Sequence, residues 1–489
     1  MGKELAKGLI SDVVAVDVDE KRLHYPLSPP FSPHERYPEY PFDHLAEEVN
    51  PVYASIRNLF AGLGYDKSNF GKRSWNPLKG FVSPGGGVVI KPNWVFHQSA
   101  SGSDSTGMVT HSSLIRAVLD YVIIALEGKG VIVIGDAPIQ SADFSKLLEN
   151  AQMESVLSFF KGRTETDIRI EDFRREISIW KGGLVFDRVS RDEGNCIEVN
   201  LGDRSHLVPI SGGFGNFRVT NYDKDKMLRY HDIRDHIYVI DKNILEADLV
   251  VSMPKLKSHR KAGLTCCLKN SVGINCQKDC LPHHRKGSKE EGGDAYEKAS
   301  LIKRVKEDLF ERLDRAESVS AQRIYKTCLR ITNKLASVLS AAGDIEGSWY
   351  GNDTVWRTIL DINRILFYAD RAGKICDTHQ RKVLYVVDGV VAGEREGPLE
   401  PTNRHFGLLA AGDNPVALDL VVAKLVGFDS SKIPLLSKAT GDSLLWDPEV
   451  KIDDIPVVLD GEKKLPLKDL PWNFHLKPSK GWLGHIERV

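Results

Sequence analysis

Apolar positions between Gly87 and Asp136 change period twice. Val88-Val89-Ile90 is a short run closing on Lys91-Pro92-Asn93, which reads as a strand stopped by proline. Leu114, Ile115, Val118, Leu119, Val122, Ile123 and Leu126 then recur at helical spacing, up to Gly128 and Gly130. Val131 to Ile134 forms a second buried run, ending at Gly135-Asp136. Strand, helix, strand at these lengths predicts a right-handed βαβ crossover.

The same reading extends along the chain. Leu249-Val250-Val251 predicts a strand ended by Met253-Pro254-Lys255, and Val383 to Val387 a strand ending at Asp388-Gly389. Leu408-Leu409-Ala410 leads into Asn414-Pro415, an N-cap and a first helical position for a helix over Val416 to Val426. Two long helices are expected between Ala299 and Ala342, a third over Asp353 to Tyr368 and a short one over Asn50 to Leu63. Pro-rich stretches near both ends cannot hold regular helices and read as wraps over a core. The expected fold is α/β: an open, mostly parallel sheet with flanking helices, a helical insertion and irregular terminal extensions. The expected divisions are an N-terminal extension (1–84), a first core part with a mixed insertion and a basic motif loop (85–290), a helical insertion (291–380), a second core part (381–435) and a C-terminal wrap (436–489).

Composition removes several function classes. The chain has 489 residues, with 66 Lys and Arg against 67 Asp and Glu. That balance argues against a surface that grips nucleic acid throughout. Seven irregularly spaced cysteines do not make a disulfide framework. The early acids at the N-terminus do not fit a secretory signal, and the most apolar stretch, Ala117 to Gly135, is interrupted by Asp120, Glu127 and Lys129. A cytoplasmic protein with no membrane partner is expected.

Charge is unevenly placed, and that changes the picture. Between Val251 and Lys289 stand nine Lys and Arg against one acid, Asp279. The segment supplies Lys255, Lys257, His259, Lys269, Lys278, His283, His284 and Arg285, interleaved with glycines that permit sharp turns. Lysine and arginine hold carboxylates and phosphates, and histidine moves protons near neutral pH. Lys91, Asn93, Asp136 and Asp388 end other expected strands, where open α/β sheets bind ligands. A metal alternative rests on Cys276, Cys280, His283 and His284, with Asp279 or Asp294 as carboxylate ligands to a divalent ion; an iron–sulfur cluster is the softer variant. No phosphate-loop motif or nucleophile-elbow serine occurs.

At IKPNWV (Ile90 to Val95), MPKLKSH (Met253 to His259) and LKNSVGIN (Leu268 to Asn275) the sequence resembles the family called domain of unknown function 362. VVDGVVAGEREGP (Val386 to Pro398) and AAGDNPVALDLVVAKLVGFD (Ala410 to Asp429) extend the likeness across most of residues 85–435. Some relatives in that family carry a ferredoxin-like cluster domain, but this chain lacks the CxxCxxC run. Over about 15 residues, His259 and Lys269 with Gly263 and Gly273 are also similar to the histidine-to-lysine stretch of nickel-pincer lactate racemases. There the lysine holds the cofactor and histidines exchange an α-proton. That likeness implies proton-transfer chemistry, with His111, His283 or His284 as the second histidine, and not the nickel cofactor itself.

The expectation is therefore an enzyme acting on a small anionic metabolite, a carboxylate or a phosphorylated or nucleotide-linked sugar, by isomerase- or epimerase-type proton transfer. His259, Lys269, His283 and His284 would be catalytic. Lys91, Asn93, Lys255, Lys257, Asn270, Arg285, Asp136 and Asp388 would bind substrate. The alternatives are a metal or iron–sulfur redox protein and a non-catalytic module for a phosphorylated ligand. Nucleic acid is not an expected partner, and a homo-oligomer is compatible with the chain.

Overall fold

The computed structural model describes residues 11–19, 22–102, 104–181, 184–191, 193–213, 215–219, 222, 224–338, 343–471 and 474–488. One eleven-stranded sheet organises them. Its strands are β1 (Val14–Val18), β2 (Gly87–Pro92), β3 (Val131–Asp136), β4 (Asp167–Asp172), β5 (Leu249–Met253), β6 (Lys255–His259), β7 (Gly263–Thr265), β8 (Lys382–Glu396), β9 (Glu400–Gly412), β10 (Pro456–Leu459) and β11 (Lys463–Pro466). The order is β11-β10-β1-β9-β8-β5-β2-β3-β4, with β6 paired to both β7 and β8. The run β8-β5-β2-β3-β4 is parallel throughout, and β9 runs antiparallel to β8 and to β1. The protein is thus α/β with a mostly parallel sheet.

The helices that matter here are α1 (Pro51–Gly62), α2 (Ser112–Leu126), α3 (Cys267–Asn270), α4 (Leu301–Asp314), α5 (Val319–Val338), α6 (Val355–Tyr368) and α7 (Pro415–Leu425). Alternation along the central strands splits the core into two layers. Val88, Ile90, Val251 and Leu384 join α1 and α2 on one face of the sheet, whereas Val89, Val250 and Tyr385 join α6 and α7 on the other. Strands covered on both faces read as continuous apolar runs, which is why β2, β3 and β5 are visible in the sequence.

Helix α7 opens as its residues dictate. Asn414 Oδ1 accepts from the backbone N–H groups of Val416 and Ala417, at 2.9 and 3.1 Å, and Pro415 occupies the first helical position. We expect Asn414→Ala to cost about 1 kcal/mol of unfolding free energy in a urea titration, with an unchanged m-value.

Three outcomes depart from the expectations. Strand β8 does not stop at Asp388; it continues to Glu396 and pairs with β9 as far as Glu400. A register shift between Gly389 and Val391 absorbs the break, so Asp388 sits inside the strand with no exposed surface. The terminal extensions also add β1, β10 and β11 to the sheet. The basic motif is not a loop: Lys255 to His259 form β6, every residue of it buried. No helix among the described residues is long and apolar enough to cross a membrane.

Candidate functional site

The Lys255-Leu256-Lys257-Ser258-His259 segment has period two, so β6 sends Lys255, Lys257 and His259 to one face. A turn at Arg260–Ala262 leads into β7 and then α3, which carries Lys269 and Asn270. Helix α3 is only one turn long, and Asp419 on α7 holds its start. The Asp419 carboxylate accepts from Cys267 N (2.7 Å) and Leu268 N (3.1 Å), meeting donors that a helix start leaves unpaired. Burial raises the pKa of that carboxyl to about 6.

A continuous polar network joins the strand ends. Asp136 at the end of β3 pairs with Lys91 of β2 at 2.9 Å. Lys91 Nζ also donates to Asn270 Oδ1 (3.1 Å), which accepts from Asn93 Nδ2 (3.0 Å). Asn93 Oδ1 accepts from Lys257 Nζ at 2.6 Å, and Lys257 reaches the Met108 carbonyl as well. Asn270 Nδ2 donates to Ser252 Oγ on β5 at 2.9 Å. Gly273 lies against this network so closely that a Cβ there would overlap the Asp136 carboxylate and stand 2.5 Å from Lys91 Nζ.

A second buried group adjoins it. Lys255 pairs with Asp388 at 3.1 Å and donates to Tyr25 Oη at 2.6 Å, while Tyr25 donates to the other Asp388 oxygen. His111 N donates to Asp388 at 2.9 Å, and its ring stacks on Tyr25 with centroids 4.0 Å apart. Burial pushes the His111 imidazole down to about 3, which keeps it neutral. This group is closed on itself: every charge in it has a partner.

Three lysines differ. Lys257, Lys269 and Lys278 have no carboxylate in hydrogen-bond range among the described residues. Lys278 Nζ has the Asn275 carbonyl at 3.2 Å. The Lys269 side chain makes no hydrogen bond or ion pair among the described residues. Burial first, then the charges of Lys278 and Lys91, lower the Lys269 ammonium to about 7. Burial lowers Lys278 to about 8, and Lys257 falls well below the usual lysine range through burial and the charges of Lys255 and Lys269.

The two histidines coupled to these lysines carry opposite hydrogen-bond patterns. His259 Nδ1 faces two donors, the N–H groups of Lys261 and Ala262, each at 3.1 Å. The ring proton is therefore assigned to Nε2, which becomes a hydrogen-bond donor. His283 Nδ1 lies 2.7 Å from the Leu281 carbonyl, so its proton is assigned to Nδ1 and its Nε2 keeps a lone pair. Burial, with the charge of Lys269 as a further cause, holds both rings well below the usual imidazole range and neutral. Asn93, Lys269 and His283 are the partly exposed members of the group.

The other expected residues lie elsewhere. His284 pairs through its strand with Arg218, and burial with the charges of Lys261 and His283 holds its ring well below the usual imidazole range. Arg285 is turned to Asp294 and Asp353, at 3.7 and 3.6 Å, beside the helical insertion. The proposed metal ligands do not converge. Asp294 accepts from Arg285 N, Asp353 N and Thr354 Oγ1, and Asp279 is held by Gln277 and Gln140. Cys280 Sγ lies 3.0 Å from the Gln277 carbonyl, and Cys276 packs with Val239. Burial pushes both thiols up, Cys280 to about 12. Among the described residues, the side chains of ligand type that do gather are Cys266, Cys267 and Asp419. There the carboxylate already serves the start of α3.

The family described as domain of unknown function (DUF362) matches residues 88–190 and 205–424. The chain belongs to this family. The DUF362 match takes in every member of both polar groups except Tyr25, which reaches Asp388 from the N-terminal segment. No curated protein matches the chain. Among solved structures, it is similar to a Thermotoga maritima protein determined by the Northeast Structural Genomics Consortium, at 10% identity and a TM-score of 0.33. The alignment covers 77% of this chain and 58% of that one, so the chain spans a little over half of that protein's length.

The residues that sequence reasoning missed are Tyr25 and Asp419; Lys278 stands in the basic cluster read from the sequence, and its lack of a carboxylate partner among the described residues is what the structure adds. Asp419 lay within the DNPVALD segment, but its partners on α3 are about 150 positions away in the chain, a separation of 152 for Cys267.

Proposed function

We propose that this DUF362 protein is an enzyme that moves a proton on a carbon acid carrying a carboxylate or phosphate. The observation that carries the reading is Lys269, a lysine without a hydrogen-bond or ion-pair partner among the described residues, electrostatically coupled to two neutral histidines of opposite protonation. A cation set largely below the surface among other lysines, with no counter-charge, is costly unless a ligand supplies one. An anionic substrate provides that charge and brings Lys269 into its protonated form.

Roles follow from the tautomers. His283 Nε2, with its lone pair, accepts the proton from carbon. His259 is not a base in this reading: protonating Nδ1 would oppose two backbone N–H groups. Its Nε2–H donates to the oxygen where enolate charge develops, as neutral imidazoles do elsewhere. Protonated Lys269, close to 7 before the anion arrives, returns a proton to carbon or oxygen. Lys257 and the Asp136–Lys91–Asn270–Asn93 network position these groups.

The test is proton exchange. Incubation in deuterated water with 2-hydroxy acids, 2-amino acids and sugar phosphates, read by proton NMR, is expected to show loss of the signal next to the carboxyl or carbonyl of one class. His283→Gln should lower that exchange by about 10²-fold or more while leaving ligand binding within a few-fold. Retention of a ligand with no exchange in the wild type would favour a non-catalytic binding module.

A further inference from the structure

Helix α5 carries Arg323, Lys326, Arg330 and Lys334 and no acidic residue. Its inward face is set by Gln322, Leu329, Thr332 and Ala336, all buried. The outward face is divided. At about 100° per residue, Arg323, Arg330 and Lys334 fall within roughly 40° of one another. Ile324, Ile331 and Leu335 form a parallel stripe about a quarter turn away. The stripe is open: Ile324 is 62% exposed, Ile331 55% and Leu335 51%. The three basic residues of the outward face are exposed and make no ion pair among the described residues.

A β-hairpin packs beside the helix, built from Glu176–Lys181 and Leu184–Ser190. Gln322 exchanges hydrogen bonds with the Val185 backbone at 3.1 and 3.0 Å, and Lys326 Nζ stands 5.9 Å from the centre of the Trp180 ring. Trp180 is itself 41% exposed and Val189 42%. The hairpin therefore lies on the Gln322–Lys326 side of α5, opposite the Ile324–Ile331–Leu335 stripe, and leaves that stripe open.

We infer that the outward face of α5 docks this protein on the surface of an anionic lipid bilayer. An exposed aliphatic stripe beside an all-basic stripe on one helix matches the headgroup–acyl boundary, with apolar side chains inserted and cations at phosphate level. Charge argues against a second copy of the chain as the occupant. Apposing two such faces about a two-fold axis would bring Arg323, Arg330 and Lys334 towards their own equivalents, with no acid on the helix to offset them. The contact is peripheral and is compatible with the absence of a spanning helix among the described residues.

Co-sedimentation of the full chain with vesicles of phosphatidylglycerol and phosphatidylcholine, mixed about 1:3, tests the inference. The chain is expected to pellet with these vesicles and to remain in solution with phosphatidylcholine alone. Binding should weaken as salt is raised. The triple variant R323E/R330E/K334E should lose about a hundredfold or more in vesicle affinity. I331S/L335S should also lose binding, with its melting temperature preserved because both positions are exposed. No pelleting with anionic vesicles, or equal binding by the charge-reversed variant, would overturn the inference. So would a dimer in light scattering that I331S/L335S converts to monomer, since the stripe would then belong to a second copy.

Discussion

Lys269→Met is expected to raise the stability of the protein while abolishing its catalysis. Burial and neighbouring lysines lower the Lys269 ammonium from 10.5 to about 7. Each unit of that shift corresponds to roughly 1.4 kcal/mol of disfavoured charge in the folded state, and relaxation reduces the sum to about 2–4 kcal/mol. Methionine fills similar volume with no charge, so the cost disappears. The pH dependence has a definite sign. The unfolded chain holds the lysine proton up to about pH 10.5, whereas the ligand-free fold releases it near 7. Wild-type stability attributable to this group therefore rises with pH across that window. The advantage of the variant should be largest below pH 7 and vanish above about 10.5. Urea titrations of both proteins at pH 6.5 and 9.5 would measure it. A variant less stable than wild type at both values would mean that Lys269 is a packing residue and not an uncompensated cation.

Gly273→Ala is expected to lower stability and activity together. The added methyl would overlap the Asp136 carboxylate and approach Lys91 Nζ to 2.5 Å. Asp136 cannot retreat freely, because it also accepts from Trp94 N at 2.7 Å and Ala137 N at 2.8 Å. Lys91 is 1% exposed and equally confined. Separating a buried ion pair costs about 3–5 kcal/mol, and overpacking adds to it. A fall of several kcal/mol in unfolding free energy is expected, with loss of the Lys91–Asn270–Asn93–Lys257 chain that positions the lysines. Gly71 has a positive φ, and a methyl added there would meet nothing within 4 Å, so Gly71→Ala is strained but uncrowded. Gly273 has no positive φ, so a loss there no larger than the strain loss at Gly71 would show that collision with the ion pair is not what the methyl costs.

Much of the fold was legible in the chain, and particular residues show why. The runs at Val88, Val131 and Leu249 are continuous because their strands are covered on both faces. Asn414-Pro415 is a local signal and requires no tertiary knowledge. The basic motif was recognised as chemistry but not as a strand. Its period-two alternation, Lys255, Lys257 and His259 against Leu256 and Ser258, was present, but lysine rarely occupies buried strand positions. The distinction between paired and unpaired lysines was not legible. Lys255 and Lys257 are two residues apart, but one meets Asp388 and Tyr25 and the other meets only neutral acceptors. The histidine tautomers depend on the backbone groups of Lys261, Ala262 and Leu281, which composition does not encode. Cys276 and Cys280, spaced like metal ligands, lie in an apolar pocket with Val239.

A carbon-detected NMR titration of Lys269 tests the account most directly. Lysine labelled at Cε is assigned by comparison with Lys269→Met and followed from pH 5 to 11, first alone and then with each 2-hydroxy acid or sugar phosphate that binds. The account predicts a midpoint near 7 in the free protein. It also predicts an upward shift when an anion occupies the site, because the bound charge favours the ammonium. A free-protein midpoint near the ordinary value of 10.5, unmoved by any anion that binds, would contradict it.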